Sequence, residues 1–166
     1  MQYKLRNFFA TFALTLLASC GFHLRGDTSL PFDTLRIDAA SYSSFATELK
    51  RVIEASSRAR VVEEAAEAQA VLHIESETRE KQILSLSGGG KVREFQLRLR
   101  VSFRLDNGKG EDFIPGGEIL LKRDFAFNDT QILAKEAEEA LLYRDMQSDA
   151  VLQMLRRLAA AKPAIP

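Results

Sequence analysis

The sequence predicts an α+β chain folded as a two-layer sandwich, a four-stranded sheet with two helices packed on one face, in the order β-α-β-β-β-α. Three observations carry this. Within residues 91–105 polar and apolar side chains alternate from Glu94 to Leu105, two other segments repeat apolar residues at helical spacing, and a long turn-rich stretch separates two segments that alternate in phase. Each of these elements has one apolar side, and such elements bury it by stacking in two layers.

The elements follow in chain order. Thr34-Leu35-Arg36-Ile37-Asp38 puts Leu35 and Ile37 on one side and reads as a short strand. One of Ser41 to Ser44 can cap a helix near 44–57, where Phe45, Leu49, Val52 and Ile53 repeat at helical spacing and Glu48, Lys50, Arg51 and Glu54 face outward. Val61 to Gln69 is acidic and Ala-rich and suggests a helical turn. Ala70 to Glu80 carries Leu72 and Ile74 on one side and His73, Glu75 and Glu77 on the other, a second strand. Ser85 to Gly90 reads as a flexible loop. In the third strand Phe95, Leu97, Leu99, Val101, Phe103 and Leu105 alternate with Glu94, Gln96, Arg98, Arg100, Ser102 and Arg104, a pattern that requires one buried and one wet face. Asp106 to Gly110 is a turn signal, with a loop extending as far as Gly117. Glu118 to Phe127 returns as the fourth strand, with Arg123 interrupting its apolar phase. Asn128 or Asp129 caps a helix over 132–158, whose apolar half holds Ile132, Leu133, Ala137, Ala140, Leu141, Ala150, Val151, Met154, Leu155 and Leu158. The tail, 161–166, contains Pro163 and Pro166 and cannot continue it.

Composition limits the function. The chain has 166 residues, enough for one domain with a substantial core. Lys and Arg total 23, against 23 Asp and Glu, so bulk charge argues against a nucleic-acid partner. One Cys allows neither an intrachain disulfide nor a Cys-based zinc cage.

The N-terminal segment reads as an address. Lys4 and Arg6 precede an apolar run from Phe8 to Ala18 that is too short to span a bilayer, which takes about 20 residues. Leu17-Ala18-Ser19-Cys20 resembles the lipobox of bacterial lipoproteins. That implies removal of residues 1–19, lipidation of Cys20 and a membrane anchor of several acyl chains, each buried methylene adding about 0.8 kcal/mol. Gly21, where inner-membrane lipoproteins commonly have Asp, favours the outer membrane. Without residues 1–19 the chain carries 21 Lys and Arg against 23 Asp and Glu, a formal charge of −2. Residues 20–33 are expected to be a tether and 34–160 a single domain.

Catalytic motifs are not found, and no catalytic residue, metal site or cofactor is expected. Gly88-Gly89-Gly90-Lys91 has Ser85 and Val92 where a phosphate-binding loop needs Gly and Ser or Thr. His73 lies alone on its strand and reads as a surface or packed histidine. Glu63-Glu64 and Glu138-Glu139 are adjacent acids that do not face each other on a helix. Lys91, Arg93, Arg98, Arg100, Arg104, Lys122 and Arg123 share the two long strands. Solvated charges that keep a sheet from aggregating are the plain reading. A surface for an anionic, phosphorylated ligand is the functional one. Arg144, within the apolar half of the last helix, is open to a snorkelling role or a partner-facing one.

Cys20-Gly21-Phe22-His23-Leu24-Arg25-Gly26 and the closing strand and helix (RDFAFNDTQILAKEAEEALLYRDMQSDAVLQMLRRLAAA, 123–161) together resemble the LptE family of lipopolysaccharide-assembly lipoproteins. The resemblance covers nearly the whole mature chain in element order and is specific at its two ends. It implies an outer-membrane lipoprotein, not an enzyme, that plugs the LptD β-barrel, assists its assembly and binds lipopolysaccharide during transport to the outer leaflet. The cations of 91–104 and 122–123 would then meet lipid A phosphates or the inner core. The alternative is a lipoprotein serving another envelope partner, peptidoglycan or a different barrel.

Overall fold

The structure, a computed structural model, describes residues 29–162; the signal segment, Cys20, most of the expected tether and Pro163 to Pro166 lie outside them. The elements are β1 (Thr34–Asp38), α1 (Ser44–Ser56), β2 (Arg60–Val61), β3 (Ala70–Leu86), β4 (Val92–Asp106), β5 (Asp112–Ala126) and α2 (Ile132–Ala159). Short 3-10 turns occupy Ala65–Glu67 and Asp129–Gln131. The sheet runs β2-β1-β3-β4-β5, with β1 parallel to β2 and β3 and the long strands antiparallel.

The sheet has five strands, not four. β2 is two residues long, too short to show a period, and pairs Thr34 with Arg60 and Leu35 with Val61. β3 and β5 are also longer than expected. β3 continues through residues 81–86, where pairing shifts between Ile83 and Ser85 break the alternation. β5 begins at Asp112 and includes Pro115, Gly116 and Gly117. Proline is tolerated there because β5 is an edge strand.

The core holds the two layers together. Leu97, Leu99, Val101, Phe103 and Leu105 of β4 are buried in one cluster with Leu35, Leu72 and Ile119 of the sheet. Phe45, Leu49 and Ile53 of α1 and Met146, Ala150, Val151, Met154 and Leu158 of α2 close over them. Phe32, within the expected tether, is 5% exposed and belongs to this core. Ser43 caps α1, its Oγ accepting from the Ala46 N–H. Asn128 accepts from the Thr130 N–H and so caps the 3-10 turn; α2 itself starts behind Gln131 without a side-chain cap.

The expected apolar half of α2 is buried only from Met146 onward. Ile132, Leu133 and Leu141 are 50%, 82% and 51% exposed. At 1.5 Å per residue α2 is about 42 Å long and α1 about 20 Å. β1 and β2 are also short, so half of the sheet has three strands and one helix. Two ends result. One carries β1, β2, α1 and the C-terminal half of α2. The other, called distal here, carries the β3–β4 turn and the start of α2.

Candidate functional site

The seven cations expected to share a surface divide into two groups. Strand alternation opposite the buried residues puts Arg98, Arg100, Arg104 and Lys122 on the open face. Register sets Arg98 across from Lys122 and Arg100 across from Leu120. Arg123 pairs with Leu97, on the helix side, and its guanidinium donates to Asp149 of α2 at 2.8 Å. That position explains why it breaks the apolar phase of β5. Arg93 shares the parity of Phe95 and also points to the helix side, while Lys91 closes the turn at the distal end.

Their partners separate them further. Arg100 is held by Glu118 and Arg104 by Asp106 and, at 3.7 Å, by Glu75. The Lys91 ammonium lies 3.1 Å from Asp129 and holds that carboxyl below its ordinary range. Among the described residues, no carboxylate lies within 4.0 Å of Arg93, Arg98 or Lys122. Arg98 donates to Gln96 at 2.9 Å, and Gln96 donates in turn to Asp124. Like charges directly opposite each other across a strand pair destabilise it. Arg98 and Lys122 form such a pair, flanked in register by Glu80 of β3, across from Arg98, and by Asp124, two residues along β5.

The distal end adds a concave site. Arg93, Ala126, Phe127, Asn128, Gln131 and Lys135 line an open pocket of about 350 Å³. The Phe127 N–H bonded to the Arg93 carbonyl, at 2.8 Å, ties its two strands together. Lys135 donates to Glu138 at 2.7 Å. Its sequence position reads only as the wet face of a helix; the helix starting back over the strand ends is what brings it to Arg93. Beyond the pocket, Ile83, Leu84 and Leu86 of β3 are 58%, 47% and 55% exposed at the same end. Behind it stands an aromatic wall in which Phe95 stacks on Phe125 and meets Phe127 edge-on. The Lys81 ammonium covers the Phe95 ring at 4.3 Å and donates to Glu139 at 2.5 Å.

The distal end thus combines cations, hydrogen-bonding side chains and exposed apolar side chains. Such a surface matches an amphiphile with phosphates and acyl chains better than a small polar ligand. His73, read from sequence as solitary, instead stands between two carboxylates on the open face. Among the described residues, no helix is long and apolar enough to cross a membrane.

Comparisons with known proteins agree with this architecture. The sequence pattern of the family described as LptE, lipopolysaccharide-assembly, matches residues 32–158. A protein of Photorhabdus laumondii named LPS-assembly lipoprotein LptE is 25% identical, over 95% of this chain and 87% of its own. One of the same name from Pectobacterium atrosepticum is 29% identical over 95% and 86%. The solution structure of an uncharacterized lipoprotein B from Nitrosomonas europaea superposes with a TM-score of 0.75 at 45% identity, over 84% of this chain and 91% of that one. The crystal structure of the rare lipoprotein B of Shewanella oneidensis gives 0.66 at 26%, over 76% and 94%.

Proposed function

The chain belongs to the LptE family of lipopolysaccharide-assembly lipoproteins, and from that membership we propose that it is anchored through Cys20 in the outer membrane, plugs and helps to assemble an LptD-type β-barrel, and binds lipopolysaccharide on its way to the outer leaflet. The match over residues 32–158 carries this reading. Two physical features support it. The sheet leaves one face polar and charged, suited to a polar barrel lumen. The distal end offers both halves of an amphiphile's needs, with Arg93 and Lys135 for phosphate and Ile83, Leu84, Leu86, Ile132 and Leu133 for acyl chains. No covalent bond of the substrate changes in such a role.

Of the seven cations, Lys91 and Arg93 fall at this end, and Lys135 joins them. Arg98 and Lys122 form the second candidate contact. Arg100, Arg104 and Arg123 are engaged by neighbouring carboxylates, as are Lys91 by Asp129 and Lys135 by Glu138, which a phosphate at the distal end would have to displace or share. The test is lipopolysaccharide binding by R93E/K135E and R98E/K122E across a salt series. Charge-assisted contacts contribute roughly 1.5–3 kcal/mol each. The distal double variant is expected to lose affinity by about tenfold or more, with a reduced salt dependence. Wild-type binding by both variants would discard the cation assignment. The barrel is tested separately, by isolating the tagged protein from outer membranes. A near-stoichiometric large barrel supports the plug, and sedimentation with peptidoglycan supports the alternative partner.

A further inference from the structure

The first four turns of α2 carry two side-chain stripes of the same spacing on opposite sides. Lys135, Glu139, Leu142, Tyr143 and Met146 face the sheet. The side chains of Lys135 and Glu139 are 17% and 22% exposed, Leu142 and Tyr143 pack partly against the core, and Met146 is buried. Two residues before each of these stand Leu133, Ala137, Ala140, Leu141 and Arg144. Two residues turn an α-helix by about 200°, so this second stripe points away from the sheet. All five of its residues are exposed, Leu133 and Leu141 at 82% and 51%. The arrangement inverts the usual amphipathic helix, whose apolar side is the buried one.

Charge marks the outer stripe as well. On the sheet side, Lys135 is paired with Glu138 and Glu139 with Lys81. Among the described residues, no opposite charge lies within 4.0 Å of Arg144, or of Glu136, which precedes Ala137 at the flank of the stripe. The stripe is self-complementary. Turned end for end about a point midway between Ala137 and Ala140, it sets Ala137 opposite Ala140, Leu133 opposite Arg144 and Leu141 opposite Glu136 of a second copy. Arg144 of each copy then lies one turn from Glu136 of the other. The central alanines let two helix axes approach closely. An Arg in this position covers apolar neighbours with its stem and carries its head to a carboxylate at the flank.

We propose that the outer stripe of α2 is an interface between two copies of this chain, an antiparallel helix pair about a two-fold axis in which Arg144 of each copy pairs with Glu136 of the other. A two-fold interface uses the same patch on both copies, so every contact occurs twice. From Leu133 to Arg144 the stripe is about 17 Å long. That is small for a specific interface, so the association is weak and reversible. Under the anchoring proposed at Cys20, both copies share one membrane, which raises their effective concentration. On the same reading, a chain that enters a barrel sheds its partner copy, and the pair shelters the stripe from water before that step.

The test is sedimentation of the full-length lipidated protein across a concentration series, in a large excess of detergent micelles so that chance sharing of a micelle is rare. The wild type is expected to pass reversibly from monomer to dimer. R144E and E136R each replace two attractions by two repulsions and are expected to weaken the dimer by about tenfold. The exchanged variant E136R/R144E restores both pairs with their signs swapped and is expected to return to within about threefold of the wild type. A140E places a charge at the centre of the seam and is expected to stay monomeric, while its circular dichroism stays that of the wild type because the site is exposed. None of these positions lines the distal pocket, so the ligand reading stands or falls separately. A wild type that stays monomeric, or a dimer in A140E as strong as in the wild type, would overturn the proposal. So would an exchanged variant no stronger than R144E. A monomeric wild type together with loss of the barrel from A140E isolated from outer membranes would assign the stripe to the barrel instead.

Discussion

Along α2, residues 146–158 stand on the core, whereas residues 132–145 stand over a sheet end that no second helix covers. The first stretch buries Met146, Ala150, Val151, Met154, Leu155 and Leu158 against α1 and the strands. The second buries no side chain fully: Leu142 and Tyr143 pack partly against the core, Lys81 donates to Glu139, and the Tyr143 hydroxyl donates at 2.7 Å to the Glu80 carbonyl. Burial and the nearby Glu139 push that hydroxyl's pKa up, consistent with its role as a donor. Both stretches contain Ile, Leu or Val at helical spacing. What separates them is where α1, β1 and β2 end. One half of the molecule supplies stability, and the other keeps apolar surface available.

Truncation in the core tests that division most severely. Phe103 is fully buried, with the Arg157 guanidinium 5.3 Å from its ring centre. Phe103→Ala is expected to cost about 3–5 kcal/mol, read from the urea midpoint of unfolding. A loss under about 1 kcal/mol would mean that this half is not the stabilising one.

The same ring makes a sharper test through its neighbour. Gly117 pairs with Phe103 on the edge strand, and a Cβ there would lie 2.8 Å from Phe103 Cζ and 3.3 Å from Arg157 Nη1. Gly117→Ala is expected to cost about 1–3 kcal/mol from overpacking. Gly116→Ala, whose Cβ meets nothing within 4 Å, is the control and should stay within about 0.5 kcal/mol. Equal losses would show that glycine serves the backbone of β5 rather than the close approach of the ring.

These two glycines also show what the sequence could and could not disclose. β4 was legible because its alternation runs unbroken from Glu94 to Leu105, and the expected 91–105 differs from Val92–Asp106 by one residue at each end. α1 and α2 were legible from their periods. Pro115-Gly116-Gly117 read as loop because the chain does not announce that β5 is an edge strand, nor that a phenylalanine across the pair fills the space a side chain would take. The extension of β3 was hidden by its shifted register, and β2 by its length. The candidate site was legible as residue types but not as a place. The seven cations were identifiable, yet the side of the sheet each one takes depends on parity and partners. Arg123 went to Asp149, and Lys135, assigned to solvent, came to Arg93. His73 looked solitary because both of its carboxylates lie more than thirty residues away in sequence.

The smallest expected change in stability is the most informative about the distal half. Leu133 is 82% exposed and stands at the start of α2, beside the pocket of Arg93 and Lys135. Leu133→Asn removes apolar surface that folding leaves in water, so the urea midpoint should move by no more than about 0.5 kcal/mol. If that surface serves an acylated ligand, the same substitution should still weaken lipopolysaccharide binding, by about threefold to tenfold for the loss of one apolar contact of roughly 1 kcal/mol. Unlike the charge reversals, this loss should not diminish as salt rises, because no ion pair is involved. A stability loss comparable to that of Phe103→Ala would mean that the first half of α2 is packed as tightly as the second, and unchanged binding would leave the cations alone as the ligand's contacts.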